Sequence, residues 1–339
     1  MNHTRRQFIA TSVSASAVLS TQAAALAQES VKTPFHIPRC RIVPQANHQT
    51  SFELAGKETT RWHFGTDYPR PYFYPFLGPS GTTLTRMGHP GAPDHDHHQS
   101  IWLAHNDVNG VSFWANRPDA GIVRQKQWLC YEDSDAHAIM AVRLSWIAPN
   151  PDHELMDQTL VAINRPGENG EHTLELQCTF RASKEPVQLG KTNFGFLAVR
   201  VAKSISVYFG GGKLTDSEGR INEPAIFGKQ ALWMDYSGPV REGVTEGLTF
   251  FDHPANPRSP THWHVRSDGW MGAAPCLQAG ITITPDSPLK LRYLLFAHHG
   301  EVDARRATNE LEKFASYPFL NIVKGTGQHR QFETQTAER

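Results

Sequence analysis

The sequence predicts an all-β protein: one large β-sandwich, of the supersandwich kind, followed by a single C-terminal helix. Three observations carry that expectation. Apolar residues recur at every second position in segment after segment, Gly and Pro turn signals separate those segments, and one stretch alone has helical character. Met140, Val142, Leu144 and Trp146 alternate with Ala and polar residues, while Leu174, Leu176, Cys178 and Phe180 are interleaved with Glu, Gln and Thr. Leu289, Leu291, Tyr293 and Leu295 repeat the pattern. This is the spacing of strands that turn one face to a core. Segments near 122–131, 156–164, 194–202, 205–209, 247–252 and 278–284 read as further strands. Turns are expected at Pro166-Gly167, Gly210-Gly211-Gly212 and Pro285-Asp286. Short strands with such punctuation build a sandwich rather than an α/β fold.

The helix is expected over Val302 to Phe314, where Ala, Leu and interspersed charges stop ahead of Tyr317-Pro318. No internal repeat or linker divides the chain. One sandwich domain is therefore expected over 28–324, with a polar, frayed tail over 325–339 and a targeting segment over 1–27.

That targeting segment opens with Thr4-Arg5-Arg6-Gln7-Phe8-Ile9 and continues as an uncharged, mildly apolar stretch to Leu26. It ends in Ala25-Leu26-Ala27, the small-x-small pattern of a cleavage site, which places the mature start at Gln28. Paired arginines ahead of an apolar run are the address read by the twin-arginine translocase, so a periplasmic or secreted protein is expected. The apolar stretch is weak for a membrane span. No other segment approaches one, so no stable membrane insertion is expected.

Lys plus Arg and Asp plus Glu number 33 each, for a formal net charge of zero. Such a balance argues against nucleic-acid binding, which needs basic patches. The four cysteines, Cys40, Cys130, Cys178 and Cys276, are far apart and form no C-x-x-C, so zinc-ribbon and thioredoxin-like readings fail. The compartment permits disulfides, but Cys178 alternates in phase with apolar neighbours, as a buried free thiol does.

Histidine is in excess, at 18 of 339 residues, and it is clustered. The stretch from Met87 to Trp114 holds His89, Asp94, His95, Asp96, His97, His98, His105, Asp107 and Asn109. If 95–98 is extended, His95 and His97 share a face and His98 takes the other. Two imidazoles with a third ligand from elsewhere hold a divalent metal economically, and neighbouring Asp residues suit its support. A second constellation, Phe251-Asp252-His253-Pro254 and Thr261-His262-Trp263-His264-Val265-Arg266, places His264 and Arg266 on one face if extended. Arg266 would hold an anionic group, and Trp263 and Trp270 offer rings for a sugar. Glu223, Asp235, Tyr236, His298 and His299 are further candidates for proton transfer. Gly210-Gly211-Gly212-Lys213 lacks the spacing of a phosphate loop. Neither G-x-S-x-G nor H-E-x-x-H occurs, which removes the commonest serine-hydrolase and zincin readings.

The runs RPYFYPFLGPSGTTLTR (70–86), DHDHHQSIWLAHNDVNGVSFW (94–114), FGKQALWMDYSGP (227–239) and DHPANPRSPTHWHVR (252–266) resemble those of the PmoA family, a bacterial group of unknown function labelled "methane oxygenase". The resemblance implies an exported β-sandwich protein from a sugar-catabolic setting. Where that family has D-H-P-H-H-R, Asp96 and Gln99 stand in place of the proline and arginine. Oxygenase activity is not expected, because a methane-oxidising membrane subunit needs apolar spans.

Together these readings point to an exported carbohydrate-active enzyme, a hydrolase, lyase or epimerase acting on a sugar or an oxidised glycoside. His95, His97 and His264 would hold one divalent metal (Zn, Mn, Fe or Ca), or act without it. His105, Asp107 and Glu223 would move protons, and Asn109, Trp102, Trp114, Trp263 and Arg266 would position the sugar. No nucleotide or flavin is expected. The alternative is a periplasmic sugar-binding module without catalysis, since sandwiches bind glycans on aromatic platforms.

Overall fold

Alternation decides which face of each strand is buried, and in this chain it does so for two large sheets. The computed structural model describes residues 36–89, 92, 95–149 and 153–337, so the expected signal segment and Asp94 lie outside the described residues. Strands β1 (Cys40–Gln45), β2 (Gln49–Leu54), β3 (Lys57–His63), β4 (Tyr72–Phe76) and β5 (Ile101–His105) come first. The long strands β6 (Ile122–Asp133), β7 (Ala138–Ala148), β8 (His153–Pro166) and β9 (His172–Ala182) follow. After β10 (Val187–Leu189) and β11 (Gly195–Arg200) come the short helix α1 (Val207–Gly210), β12 (Lys213–Asp216) and the short helix α2 (Asn222–Ile226). Next are β13 (Trp233–Arg241), β14 (Val244–Asp252), β15 (Trp263–Arg266), β16 (Trp270–Ala273), β17 (Ile281–Ile283) and β18 (Leu289–His299). Helix α3 (Ala304–Ser316) and the pair β19 (Leu320–Lys324) and β20 (Phe332–Thr336) complete the chain.

Sheet I has the order β1-β2-β3-β4-β5-β11-β16-β15, and sheet II the order β12-β13-β14-β18-β9-β8-β7-β6. Each neighbouring pair is antiparallel. Strand makes up 52% and helix 9% of the structure, so the all-β sandwich with one C-terminal helix is what the chain forms. The alternating residues of β7, β9 and β18 named above all enter one core, shared with Phe52, Phe73, Val199 and Met271 of sheet I.

Helix α3 is set by its own sequence. Asp303 caps it by accepting from the Arg306 N–H at 2.7 Å. Ala307, Leu311 and Phe314 form its buried stripe, packed on Trp233, Phe251, Leu294 and Phe296 of sheet II. Among the described residues no helix is long and apolar enough to cross a membrane.

Two local expectations give way. The strand expected at 205–209 is instead a 3-10 turn, Lys203–Ile205, followed by α1, because the Ser206 side chain accepts from the Phe209 N–H and caps a helix. Within the stretch expected as a polar tail, β20 pairs with β19. All four cysteines are free thiols, and Cys178 is fully buried.

Candidate active site

The outer face of sheet I is aromatic. Leu103, Val199, Trp263, Val265 and Met271 point into the sandwich core. Their alternate neighbours form a second cluster of Tyr72, Trp102, Ala104, Trp114, Ala198 and Trp270. Strand register places Tyr72, Trp102, Ala198, Gly272 and His264 in one row across β4, β5, β11, β16 and β15. Two residues along, Arg200, Trp270 and Arg266 form a parallel row. Large side chains are possible here because the floor between them is small: a Cβ on Gly272 would lie 3.0 Å from the Trp270 indole. The tight turn between β15 and β16, with Gly269 at φ +100°, carries Asp268.

A wall rises from this floor. Residues 95–98 are not extended but turn, with the His98 N–H donating to the His95 carbonyl at 3.0 Å. The turn gathers the three imidazoles: ring centroids are 4.4 Å apart for His97 and His98, 5.2 Å for His95 and His98, and 5.8 Å for His95 and His97. His98 stacks on Trp102 at 5.4 Å and on Trp270 at 6.1 Å. Arg70, 1% exposed, pins the wall by donating to the carbonyls of His97, Trp114 and Ala115 and to Asn116 Oδ1. The two histidine motifs thus meet in one cleft of about 410 Å³, lined by His95, His97, His98, Asn106, Trp114, Phe194, Arg200, His264, Arg266, Asp268 and Trp270.

The protonation states are defined by partners. His264 Nδ1 faces the Asn193 carbonyl at 3.0 Å, so it carries the proton, and Nε2 is left as an unpartnered lone pair. Burial, then the Arg266 charge, pushes His264 down to about 3, and burial drives His98 well below the ordinary histidine range. Both imidazoles are therefore neutral. Burial alone would raise the Asp268 carboxyl, but the Arg200 guanidinium and His89 outweigh it and hold it ionised. Arg200 Nη1 and Nη2 donate to Asp268 Oδ1 and Oδ2 at 2.8 and 3.2 Å, and His89 Nε2 lies 2.8 Å from Oδ2. Asp268 is thus committed to that network and is not placed for proton transfer. His98 Nδ1, Trp114 Nε1 and Trp270 Nε1 are buried without a partner. Such atoms are uncommon in folded proteins and mark a place where something else completes the hydrogen bonds.

The expected site residues divide between the two sides of the sheet. His95, His97, His264, Trp114 and Arg266 line the cleft, and Trp102 lies beneath His98. Glu223 stands behind Arg266, accepting from its Nη1 at 2.9 Å and from the Ser267 N–H at 2.7 Å. It positions the arginine and is not part of the lining. The roles expected of the remaining four do not fit their places. His105 alternates to the core side of β5, stacks on Phe196 at 4.9 Å and bonds the Gly190 carbonyl at 3.1 Å. Asp107 closes a turn through the Gly110 N–H, and Asn109 docks β10 through the Gln188 N–H. Trp263 donates to the Ala231 carbonyl at 2.8 Å from inside the core. Asp252 holds the 253–261 loop through Asn256 Nδ2 and the Thr261 N–H. Among the described residues no three His, Cys, Asp or Glu side chains are grouped so that they could hold a metal ion.

Arg200, Asp268, Phe194 and Asn106 were not singled out from sequence. Arg200 had a signal, as the one charge in the apolar strand GFLAVR. Asp268, in a Ser-Asp-Gly turn, looks like ordinary turn chemistry. A wider groove of about 1240 Å³ runs along the outer face of sheet II, beside α3 and the β19–β20 pair. It lacks the cleft's unpartnered indoles and imidazoles, and its Glu171 is ion-paired with Arg306.

No curated protein matches this chain in sequence. Among solved structures, a GalM/aldose epimerase homologue from C. elegans is similar at 9% identity and a TM-score of 0.34, over 78% of this chain and 99% of that one. A putative mutarotase from Salmonella typhimurium is similar at 13% identity and a TM-score of 0.29, over 77% and 97%. Likeness at that level carries no argument. The resemblance to the PmoA family is not upheld, because the family whose model matches is a different one and nothing else points to PmoA. The match runs over residues 49–312, and the chain belongs to that family, the family of unknown function DUF6807.

Proposed function

We propose that this protein is a carbohydrate-active enzyme that moves protons on a sugar held in the histidine cleft, as an epimerase or lyase. The observation that carries the reading is His264: a neutral imidazole with Nδ1–H fixed by a backbone carbonyl and an unpartnered Nε2 at the wall of an aromatic cleft. Phe194, half-buried at the cleft, supplies an apolar ring of the kind sugars stack on, backed by the edges of Trp114 and Trp270. His98, against Trp270, is the second proton-transfer group. A glycosidase with paired carboxylates is the less favoured branch, because among the described residues the one carboxylate lining the cleft, Asp268, is bound to Arg200 and His89.

The test is to incubate the full mature chain with aldoses, uronates, oligosaccharides and oxidised glycosides and to follow configuration and elimination by NMR. Conversion that falls sharply in His264→Ala with the fold intact supports the reading; an unchanged rate overturns it. Binding without any conversion makes the protein a sugar-binding module.

Divalent-metal binding by His95, His97 and His264 together is disfavoured, because no three such side chains are grouped to hold an ion among the described residues. A metal would find His264 Nε2 as its placed ligand, since a metal-ligating histidine gives its other N–H to a carbonyl or carboxylate. Metal content of the natively exported protein, with and without His264→Ala, decides it. Twin-arginine export to the periplasm is part of the proposal and is supported by the Arg5-Arg6 segment and the Ala25-Leu26-Ala27 site. Retention in the cytoplasm of an Arg5→Lys, Arg6→Lys variant is the expected outcome.

A further inference from the structure

We infer that the sugar recognised by this cleft carries a carboxylate, as a uronic acid or related sugar acid does. The inference rests on the reading of the cleft as a sugar site and specifies its substrate class. It follows from an inventory of hydrogen-bonding groups. Trp114 and Trp270 are 4% and 2% exposed, and each has an indole N–H without an acceptor. An indole only donates. Asn106 spends its Oδ1 on the Ser112 hydroxyl at 2.9 Å, so what it has left to offer is N–H.

Arg266 adds a fork of donors at the same wall. Its Nη1 is held by Glu223 at 2.9 Å, and its guanidinium lies 4.8 Å over the Phe227 ring. That support fixes the fork's plane and leaves its other N–H groups for a ligand; the side chain is 45% exposed. On the acceptor side, among the described lining residues, stand His264 Nε2 and, if it carries no proton, His98 Nδ1, while the Asp268 oxygens are engaged by Arg200 and His89.

Among these described groups donors outnumber acceptors. A sugar hydroxyl donates as readily as it accepts and would leave N–H groups unmet. A carboxylate accepts only, takes several donors at once, and pairs with a guanidinium in a planar, two-bond geometry. The group that would meet it is the Arg266 fork, which is part-exposed beside Glu223.

Isothermal titration of the full mature chain near neutral pH tests this with D-glucuronate and D-galacturonate against D-glucose and D-galactose. A uronate is expected to bind about tenfold or more tightly than its neutral counterpart. Arg266→Met should abolish that preference, and Trp270→Phe, which keeps a ring and deletes the N–H, should reduce it. Arg266→Lys, with the charge but not the fork, should fall between. Circular dichroism confirms that each variant is folded. Neutral aldoses binding as tightly as uronates would overturn the carboxylate assignment and leave the sugar site standing. Binding of neither class would overturn both.

Discussion

On the outer face of sheet II, Arg292 donates to Glu175, to the Tyr317 carbonyl and to His253, and Arg165 closes on Glu175 from the other side at 2.8 Å. On the outer face of sheet I, His264, His98, Trp114 and Trp270 are just as buried, yet each keeps a polar atom without a partner. Both faces bury histidine and arginine, so residue type does not tell them apart. Satisfaction does. Sheet II is partly covered by α3 and by β19 and β20, whose residues pack on its apolar patches. The Arg292–Glu175–Arg165 network there is closed and holds the fold. Sheet I is left with an incomplete network around a cleft, and an incomplete network is what a ligand can finish.

Breaking the comparison at its sharpest point means deleting the lone pair. His264→Ala should lower turnover by about 10²- to 10⁴-fold, the usual worth of a positioned acid or base, while the protein stays folded at the assay temperature despite the loss of the donor to the Asn193 carbonyl. A steady-state rate measured beside a thermal melt checks both halves. The mirror experiment is Arg292→Ala. Glu175 has a fully buried side chain, and removing its main partner should cost about 3–5 kcal/mol of stability. Denaturant titration would show this as a lower midpoint, with ligand affinity of the folded protein unchanged.

The two faces should also answer pH in opposite directions. Burial disfavours charge on His298, but the Asp235 carboxylate 2.8 Å away outweighs it and raises the imidazole. Its Nε2 faces Asp235 and its Nδ1 the His299 carbonyl, so both nitrogens donate. Asp235 also takes the Ser237 and Thr249 hydroxyls. A raised imidazole stabilises the fold fully below the unfolded pKa of about 6.5, and that contribution is lost as pH rises through the folded value. His264, lowered to about 3 by burial and Arg266, does the reverse. Its neutral form contributes above about pH 6.5, and the contribution is lost as pH falls towards the folded value. His298→Gln should therefore flatten the alkaline limb of a stability–pH curve, and His264→Gln the acid limb. Equal flattening of both limbs by either variant would contradict the assignment.

How far the sequence foretold this depends on what alternation can show. Strands β7, β9 and β18 were legible because one face is apolar and the other is not, and α3 because its buried residues repeat at helical spacing. Strands β1 to β3 were not: Thr50 and Ser51 are buried polar residues in the middle of β2, and they blur the period. In the site, the pairing of His264 with Arg266 followed from period two. The same rule separates Trp102 from His105 on β5, since residues three apart point to opposite faces, yet polarity alone made His105 look functional. The wall was misjudged locally, because 95–98 turns instead of extending, and the turn is what brings His98 to the cleft beside His95 and His97. The union of the two motifs depends on β11 and β16 lying between β5 and β15, and no local pattern encodes that order.

The smallest expected effects divide two tryptophans, one in β15 and one in the segment after β5. Trp263 spends its N–H on the Ala231 carbonyl and packs on Phe250 at 4.8 Å, inside the sandwich. Trp114, 4% exposed, keeps its N–H unspent at the cleft. Replacing either by Phe removes one N–H and little apolar surface. Trp263→Phe leaves a buried carbonyl short of a donor and should cost about 1–3 kcal/mol of stability with no change in ligand affinity. Trp114→Phe deletes a donor that has no partner in the folded protein, so stability should stay within about 0.5 kcal/mol and affinity should weaken several-fold instead. Melting curves and titrations on the two variants separate these outcomes. A stability loss in Trp114→Phe equal to that in Trp263→Phe would mean that the Trp114 N–H belongs to the fold, and the contrast between satisfied and unsatisfied faces would not hold at that residue.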